Sequence, residues 1–329
     1  MRVASTKQVA VLGECMLELV GPAFGALQQG FGGDTLNTAV YLARCAADPG
    51  QNEAEAAAPY TVHYATGLGE DGLSRGLMER WAAEGLALDL VRQIPGRMPG
   101  LYMIEVDARG ERSFNYWRDT SAAKAYFESE RTPLEDQTAD WDLFYLSGIS
   151  LAILPPAGRE RVFALMKALR ARGAMVVFDN NYRPRLWASR AEAQAVFRRA
   201  LDLASVGLIT ADDHQALFEL PSLAEAVAAA QDLAPRELLI KRGADPTLVR
   251  APEAGAPDWQ AAATERVERV VDTTAAGDSF AGGYLSQRLR GRPALESARF
   301  GNRLAARVIQ HRGALIEPAL MADLLQPQS

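Results

Sequence analysis

The chain has 329 residues, 48% of them hydrophobic and 23% charged, which suits a globular protein able to bury a sizeable core. Its net charge is −6, and the lysines Lys7, Lys124, Lys167 and Lys241 lie far apart, so it lacks the basic footprint of a nucleic-acid binder. No run approaches the roughly 20 apolar residues that cross a bilayer, Gln8–Leu12 is too short for a signal peptide, and Cys15 and Cys45 form no metal-ligand or disulfide framework, which together predict a protein of the reducing cytoplasm without membrane or nucleic-acid partners.

Val9–Leu12 reads as a first strand, and Cys15–Gly30 as strand-like text with no helix behind it. Gly32-Gly33-Asp34-Thr35-Leu36-Asn37 then opens a helix, with Asp34 placed as its N-cap and Leu36, Ala39, Val40 and Ala43 as its buried stripe. Asn37 projects near the start of that helix, beside two glycines that permit close approach. Asp48–Pro59 is polar and Ala-rich, a surface insertion. After a strand at Val62–Ala65, Gly67-Leu68-Gly69-Glu70-Asp71-Gly72 matches the dinucleotide fingerprint, with Asp89 near the spacing of a ribose-binding acid. That fingerprint normally follows the first strand of its βαβ unit, so it is assigned here to a turn, and an oxidoreductase built on it is a remote rival. Leu88–Arg118 is again strand-like: Leu101–Asp107, a turn at Ala108-Arg109-Gly110 and Glu111–Arg118 form a hairpin with Tyr102 opposite Tyr116 and Arg118 on their face. Residues 15–30 and 88–118 are therefore expected to make a small β-sheet lid, and 1–14, 31–87 and 119–329 an α/β domain.

Further strands read at Leu143–Leu146, Met175–Phe178, Val206–Ile209 and Leu238–Ile240, with helical spacing between them, as in Val162, Leu165, Met166 and Leu169. Continuous apolar strands separated by helices predict a mainly parallel sheet covered on both faces, with ligands beyond the carboxyl ends of its strands. Two polar clusters sit at such ends. In Asp179-Asn180-Asn181-Tyr182-Arg183-Pro184-Arg185, Arg183 has the geometry to grip a carboxylate or phosphate; in Lys241-Arg242-Gly243-Ala244-Asp245, a Gly turn either admits a nucleotide or closes a tight turn. His63, His214 and His311 are scattered, and no Walker motif occurs.

Asp272-Thr273-Thr274-Ala275-Ala276-Gly277-Asp278-Ser279 opens a helix striped by Phe280, Ala281, Tyr284 and Leu285. Small residues at a helix start expose backbone N–H groups to an anion, and a carboxylate in that first turn can take a proton from an attacking hydroxyl. Ordinary capping by Thr274 and Asp278 is the alternative.

Taken in order, these segments resemble the ribokinase-like carbohydrate kinases from about Val9 to Pro318, most closely in Gly13–Leu19, Gly32–Asn37, Pro99–Tyr102, Tyr116–Arg118, Tyr145–Leu154, Phe178–Trp187, Lys241–Asp245 and Asp272–Phe280. The resemblance implies a three-layer α/β/α fold with a β-sheet lid and ATP-dependent phosphorylation of the terminal hydroxyl of a small sugar acid. It implies that Asp278 is the general base and that Ala275, Ala276 and Gly277 form the anion hole. Gly33, Asp34 and Asn37 would bind sugar hydroxyls, with Tyr102, Tyr116, Arg118 and Arg183 lining the rest of the pocket. Asn181, Lys241, Arg242 and Gly243 would lie along ATP and Asn302 near its adenine. Asp272 and Thr274 would help hold a monovalent cation such as K⁺, while Mg²⁺ would bridge the phosphates. The two arginines favour an acidic sugar, because a neutral one would leave them poorly paired. The wider family usually has Gly at the position of Ala275, and an Asn-x-x-Glu near Thr210–His214 that is absent here, leaving Asp213 as the carboxylate nearest that place. A homodimer through the lid face is expected. Rival readings are a kinase of a neutral sugar or nucleoside and a non-catalytic sugar sensor.

Overall fold

Successive side chains of a strand point to opposite faces, and in the first strand both faces are apolar: Val9 and Val11 enter one core cluster, Ala10 and Leu12 another. A strand of that kind is stable only between two layers of helix, which is where the computed structural model puts it. It describes residues 6–46, 58–106, 112–253, 255 and 258–326. The expected Asp48–Pro59 insertion and the Ala108-Arg109-Gly110 turn fall almost wholly outside them.

In chain order the strands are β1 (Lys7–Leu12), β2 (Met16–Val20), β3 (Gln28–Gly32), β4 (Tyr60–Leu68), β5 (Val91–Gln93), β6 (Gly100–Val106), β7 (Arg112–Trp117), β8 (Leu143–Ser147), β9 (Met175–Asp179), β10 (Val206–Thr210), β11 (Glu237–Arg242), β12 (Asp245–Arg250) and β13 (Gln260–Ala262). Nine of them form one sheet in the order β13-β12-β11-β10-β9-β8-β1-β4-β5, parallel except for β12 and β13. On one face lie the helices Pro156–Ala171 and Arg190–Leu203, whose Val162, Met166 and Phe197 pack on Leu146, Val176 and Phe178. On the other lie Asp34–Arg44, Ala276–Leu289 and Ala294–Val308, whose Leu36, Val40, Phe280 and Ala298 join Val177, Leu208 and Leu239.

A second sheet has the order β3-β2-β6-β7. β6 and β7 pair antiparallel with Tyr102 opposite Tyr116, the register read from the sequence. The expected boundaries shift in two places: Val91–Gln93 adds to the edge of the large sheet beside β4, and β3 runs on to Gly32. Asp34 is also not a cap. The N-cap is Gly33, and Asp34 is the first helical residue, its carboxylate bonded to the Thr35 backbone and to Asn181 rather than capping the helix.

The dinucleotide-like run is accounted for by packing. A Cβ on Gly67 would lie 2.2 Å from the Ala122 carbonyl oxygen, and one on Gly69 2.2 Å from that of Arg97. Asp71 caps the helix Gly72–Ala83 through Leu73 N and Ser74 N, and Asp89 pairs with His63. The amides that would hold a pyrophosphate are already taken.

Candidate active site

The parallel strands end on one side of the sheet, and there Gly33–Asn37, Asp179–Arg183, Asp213, Lys241 and Ala275–Asp278 converge. The helix Ala276–Leu289 begins without any side-chain cap, so the reading in which Thr274 and Asp278 merely cap it does not hold. Thr274 is turned away instead: its hydroxyl donates to Asp272 Oδ1 at 2.6 Å, and Asp272 Oδ2 accepts from Gly313 N at 3.2 Å. Ala275 has φ 61°, in the left-handed region that favours glycine, which explains physically why Gly is the usual occupant. A Cβ on Gly277 would meet, within 4 Å, only the Nζ of Lys241, 3.4 Å away. That leaves a bare cradle between helix amides and an ammonium group, of a size and charge that suits a phosphoryl group.

Asp278 sits half-buried in the first turn and accepts a hydrogen bond from Asn37 Nδ2 at 2.8 Å. The two helices approach closely because Gly282 has no side chain; a Cβ there would be 2.8 Å from the Cβ of Tyr41. Burial raises the Asp278 carboxyl to about 8, the Asp34 charge adds to this, and Asn37 and Lys241 oppose it. Asp34 is also held above the ordinary aspartate value, chiefly by burial, while Asn181 Nδ2 donates to it at 2.6 Å. Asn181 therefore stands on the Asp34 side of the cleft.

Lys241 Nζ donates to Asp179 Oδ2 at 2.8 Å, and both side chains are largely buried. Next to them, Arg183 lies 3.3 Å from Asp213 with half of its side chain exposed. Burial raises the Asp213 carboxyl, and Arg183 counteracts this. Gly243 has φ 61° and closes the tight turn between β11 and β12, whose end Arg242 braces by donating to the Pro246 carbonyl at 2.6 Å. Asn302 is buried and spends its polar atoms on Thr247, Ala262 and Ala263. It supports the β12–β13 edge rather than offering a free amide.

From the lid, Tyr102 donates to Glu18 at 2.5 Å, and burial together with Glu18 pushes its hydroxyl pKa up. Its ring lies 5.9 Å from that of Tyr116, which is half exposed. Arg118 is not the free cation expected from the sequence: its Nη2 donates to Glu14, a carboxylate that is itself almost wholly buried. Sequence reasoning gave no role to Glu14, Glu18 or Asp179. Each is an acid beside a predicted ligand, and the signal that could have found Asp179 was its place at the carboxyl end of β9.

Among the described residues, no cluster of three or more His, Cys, Asp or Glu is arranged to hold a metal ion. The cradle and its cation fit a nucleotide phosphate, and a Mg²⁺ ion arriving with that phosphate needs few protein ligands.

The sequence profile of the pfkB family carbohydrate kinases matches residues 6–319. The chain is similar to 2-dehydro-3-deoxygluconokinase of Escherichia coli strain K12, with 45% identity over 312 residues, 94% of this chain and 97% of that one. Its fold is similar to that of aminoimidazole riboside kinase from Salmonella enterica, solved with aminoimidazole riboside and an ATP analogue, at TM-score 0.77 and 24% identity over 97% of this chain and 99% of that one. It is similar too to a putative ribokinase II from E. coli in complex with ATP and Mg²⁺, at TM-score 0.75 and 19% identity over 94% of each chain.

Proposed function

The chain belongs to the pfkB family of carbohydrate kinases, and we propose that it transfers the γ-phosphoryl group of ATP to the terminal 6-hydroxyl of 2-keto-3-deoxygluconate, giving 2-keto-3-deoxy-6-phosphogluconate. The observation that carries this reading is the uncapped helix start with Asp278 in its first turn, Asn37 on one side and Lys241 across the cradle. Relatives named for this substrate over nearly the whole chain support its identity.

The Asp278 carboxylate takes the proton of the terminal hydroxyl as its oxygen bonds to the γ-phosphorus. The bond from that phosphorus to the β–γ bridging oxygen breaks, and the electron pair leaves with ADP. The amides of Ala275 and Gly277, with Lys241, hold the charge on the transferring group, while that of Ala276 already donates to the Thr273 carbonyl at 3.2 Å. Gly33, Asp34 and Asn37 orient the sugar, and Tyr102 and Tyr116 cover it from the lid and exclude water. Mg²⁺, when bound, would neutralise the phosphate oxygens, with Asp213 the carboxylate that would steady its water shell. A monovalent cation beside the anion hole would use Asp272 and Thr274, where the Thr274 hydroxyl donates to Asp272 and Asp272 accepts from Gly313 N.

The carboxylate of the sugar acid falls to Arg183, whose bond to Asp213 is long and whose side chain is half exposed. In a coupled ADP-release assay, wild-type protein is expected to prefer 2-keto-3-deoxygluconate over fructose, ribose and adenosine. Arg183→Ala is expected to raise KM for the acid by about 10-fold or more, in line with loss of one charged hydrogen bond, and to leave neutral sugars unaffected. Activity confined to a neutral sugar or nucleoside would replace this reading by its nearest rival, and binding without ADP release would point to a sensor. Replacing K⁺ by tetramethylammonium in the same assay tests the monovalent cation.

No helix among the described residues is long and apolar enough to cross a membrane, and a cytoplasmic enzyme is proposed. A homodimer through the lid is proposed as well. Trp117, 60% exposed, stands at the end of a row in which Phe31, Leu17 and Leu101 pack on the chain's own core, opposite the face of Tyr102 and Tyr116, and is the apolar side chain offered to a partner there. Sedimentation velocity should show a dimer that Trp117→Lys converts to monomer; a wild-type monomer at micromolar concentration ends that idea.

A further inference from the structure

Glu14 lies just past the end of β1, and every chain connection between the two sheets passes around it. Glu14 itself belongs to the first connection. At the second, a Cβ on Gly33 would stand 2.2 Å from the Glu14 carbonyl oxygen. At the third, a Cβ on Gly100 would come within 2.8 Å of Glu14 Oε1 and 3.2 Å of the Arg118 Cβ. The fourth is Arg118, whose Nη2 donates to Glu14 Oε2. The Glu14 side chain is 1% exposed and that of Arg118 10%.

This hinge also gathers unsatisfied polar atoms. Glu14 Oε1, Arg118 Nε, Thr66 Oγ1 and Ser121 Oγ are all buried without a hydrogen-bond partner. Backbone contacts bring them together: Gly13 N donates to Ala65 O at 3.1 Å beside Thr66, and Ser121 N donates to Arg118 O at 3.1 Å. Buried polar atoms seldom stay unpaired in a finished site, so partners arrive as ordered water or as substrate oxygens.

We propose that Glu14 is a positioning and selectivity residue for the sugar, acting through Arg118. It fixes the guanidinium at the lid hinge and cancels its charge. Arg118 then reads substrate oxygens by directed hydrogen bonds, and Arg183 supplies the net positive charge for the carboxylate. A buried guanidinium without a counter-ion would be strongly disfavoured, whereas a paired one keeps spare donors for a ligand. The inference rests on the sugar-acid reading above.

The test compares kcat/KM for 2-keto-3-deoxygluconate with that for its analogue in which the carboxylate is replaced by a primary amide. Glu14→Gln keeps an acceptor for Arg118 but removes the balancing charge, so the acid-to-amide ratio is expected to rise by roughly tenfold or more, mainly in KM. Glu14→Asp restores the charge and should return the ratio toward wild type. The double variant Glu14→Gln, Arg118→Met removes both charges of the pair and guards against misfolding of the single variant; it should weaken both substrates alike and keep the ratio within about threefold of wild type, since the pair carries no net charge. A ratio in Glu14→Gln that stays level or falls, or a selective loss of the acid in the double variant, overturns the proposal and leaves Glu14 as a structural brace. Wild-type protein inactive on the acid would instead sink the substrate reading itself, and this inference with it.

Discussion

Asp278→Asn is expected to lower turnover by about 100-fold or more while leaving sugar binding nearly intact, as loss of a general base does. The amide keeps the size of the carboxylate and a partner for Asn37, but it cannot accept the hydroxyl proton. Turnover within about threefold of wild type would remove Asp278 from the chemistry. The pH profile offers an independent check. With the ligand-free carboxyl near 8, kcat/KM for the sugar should climb with pH until close to that value and lose this limb in the Asn variant. Stability should run the other way. The folded value lies above the ordinary 3.8, so between 3.8 and about 8 the folded state holds a proton that the unfolded state has lost, and stability falls as pH rises through that window. Urea denaturation should therefore find the Asn variant more stable than wild type at pH 9, by about 1–3 kcal/mol after allowance for partial exposure, with little difference at pH 4. The base is a group the fold tolerates at a cost, as catalytic groups often are.

Lys241→Met is expected to be worse than a loss of one phosphate contact. Removing the cation opposite Gly277 should cost about 10²–10³ in turnover, the usual effect of losing a charged donor to a transition state. It also strands Asp179, which is almost fully buried and bonded to Lys241 at 2.8 Å, at a stability cost of about 3–5 kcal/mol. The two effects separate in the double variant Asp179→Asn, Lys241→Met, which should recover most of the melting temperature and none of the turnover. If the double variant melts as low as the single one, the ion pair is not the source of the loss. If Lys241→Met turns over at the wild-type rate, the cradle is not the phosphoryl site.

The large sheet was legible because its strands are buried on both faces and therefore read as unbroken apolar runs; six of them, from Val9–Leu12 to Leu238–Ile240, were found where they stand. Short edge strands such as Val91–Gln93 lack that signal, and this one was given to the lid. The lid hairpin register was legible because two strand-like runs so close in sequence leave few ways to pair them. At the site, the spacing within Asp272–Ser279 revealed the helix start, but long-range partners left no trace: Asn37 and Asp278 are 241 positions apart, and Glu14 and Arg118 are 104. Asp34 was misread for a local reason. An acid before an amphipathic stripe is usually a cap, and only the extended Gly33 ahead of it shows that the helix had already begun. That Arg118 is paired with Glu14 was not legible, because a sequence displays a charge without its counter-charge.

In the small sheet, β2 runs parallel to β6, and no hairpin can join neighbours that point the same way. The layer over the cleft is thus stitched from two distant stretches along a parallel seam, and the large sheet is the thread between them. Such a plate cannot peel open at one turn. To admit a sugar it has to tilt as one piece on its four connecting ends, and during folding it has to wait until the strands that carry those ends have met.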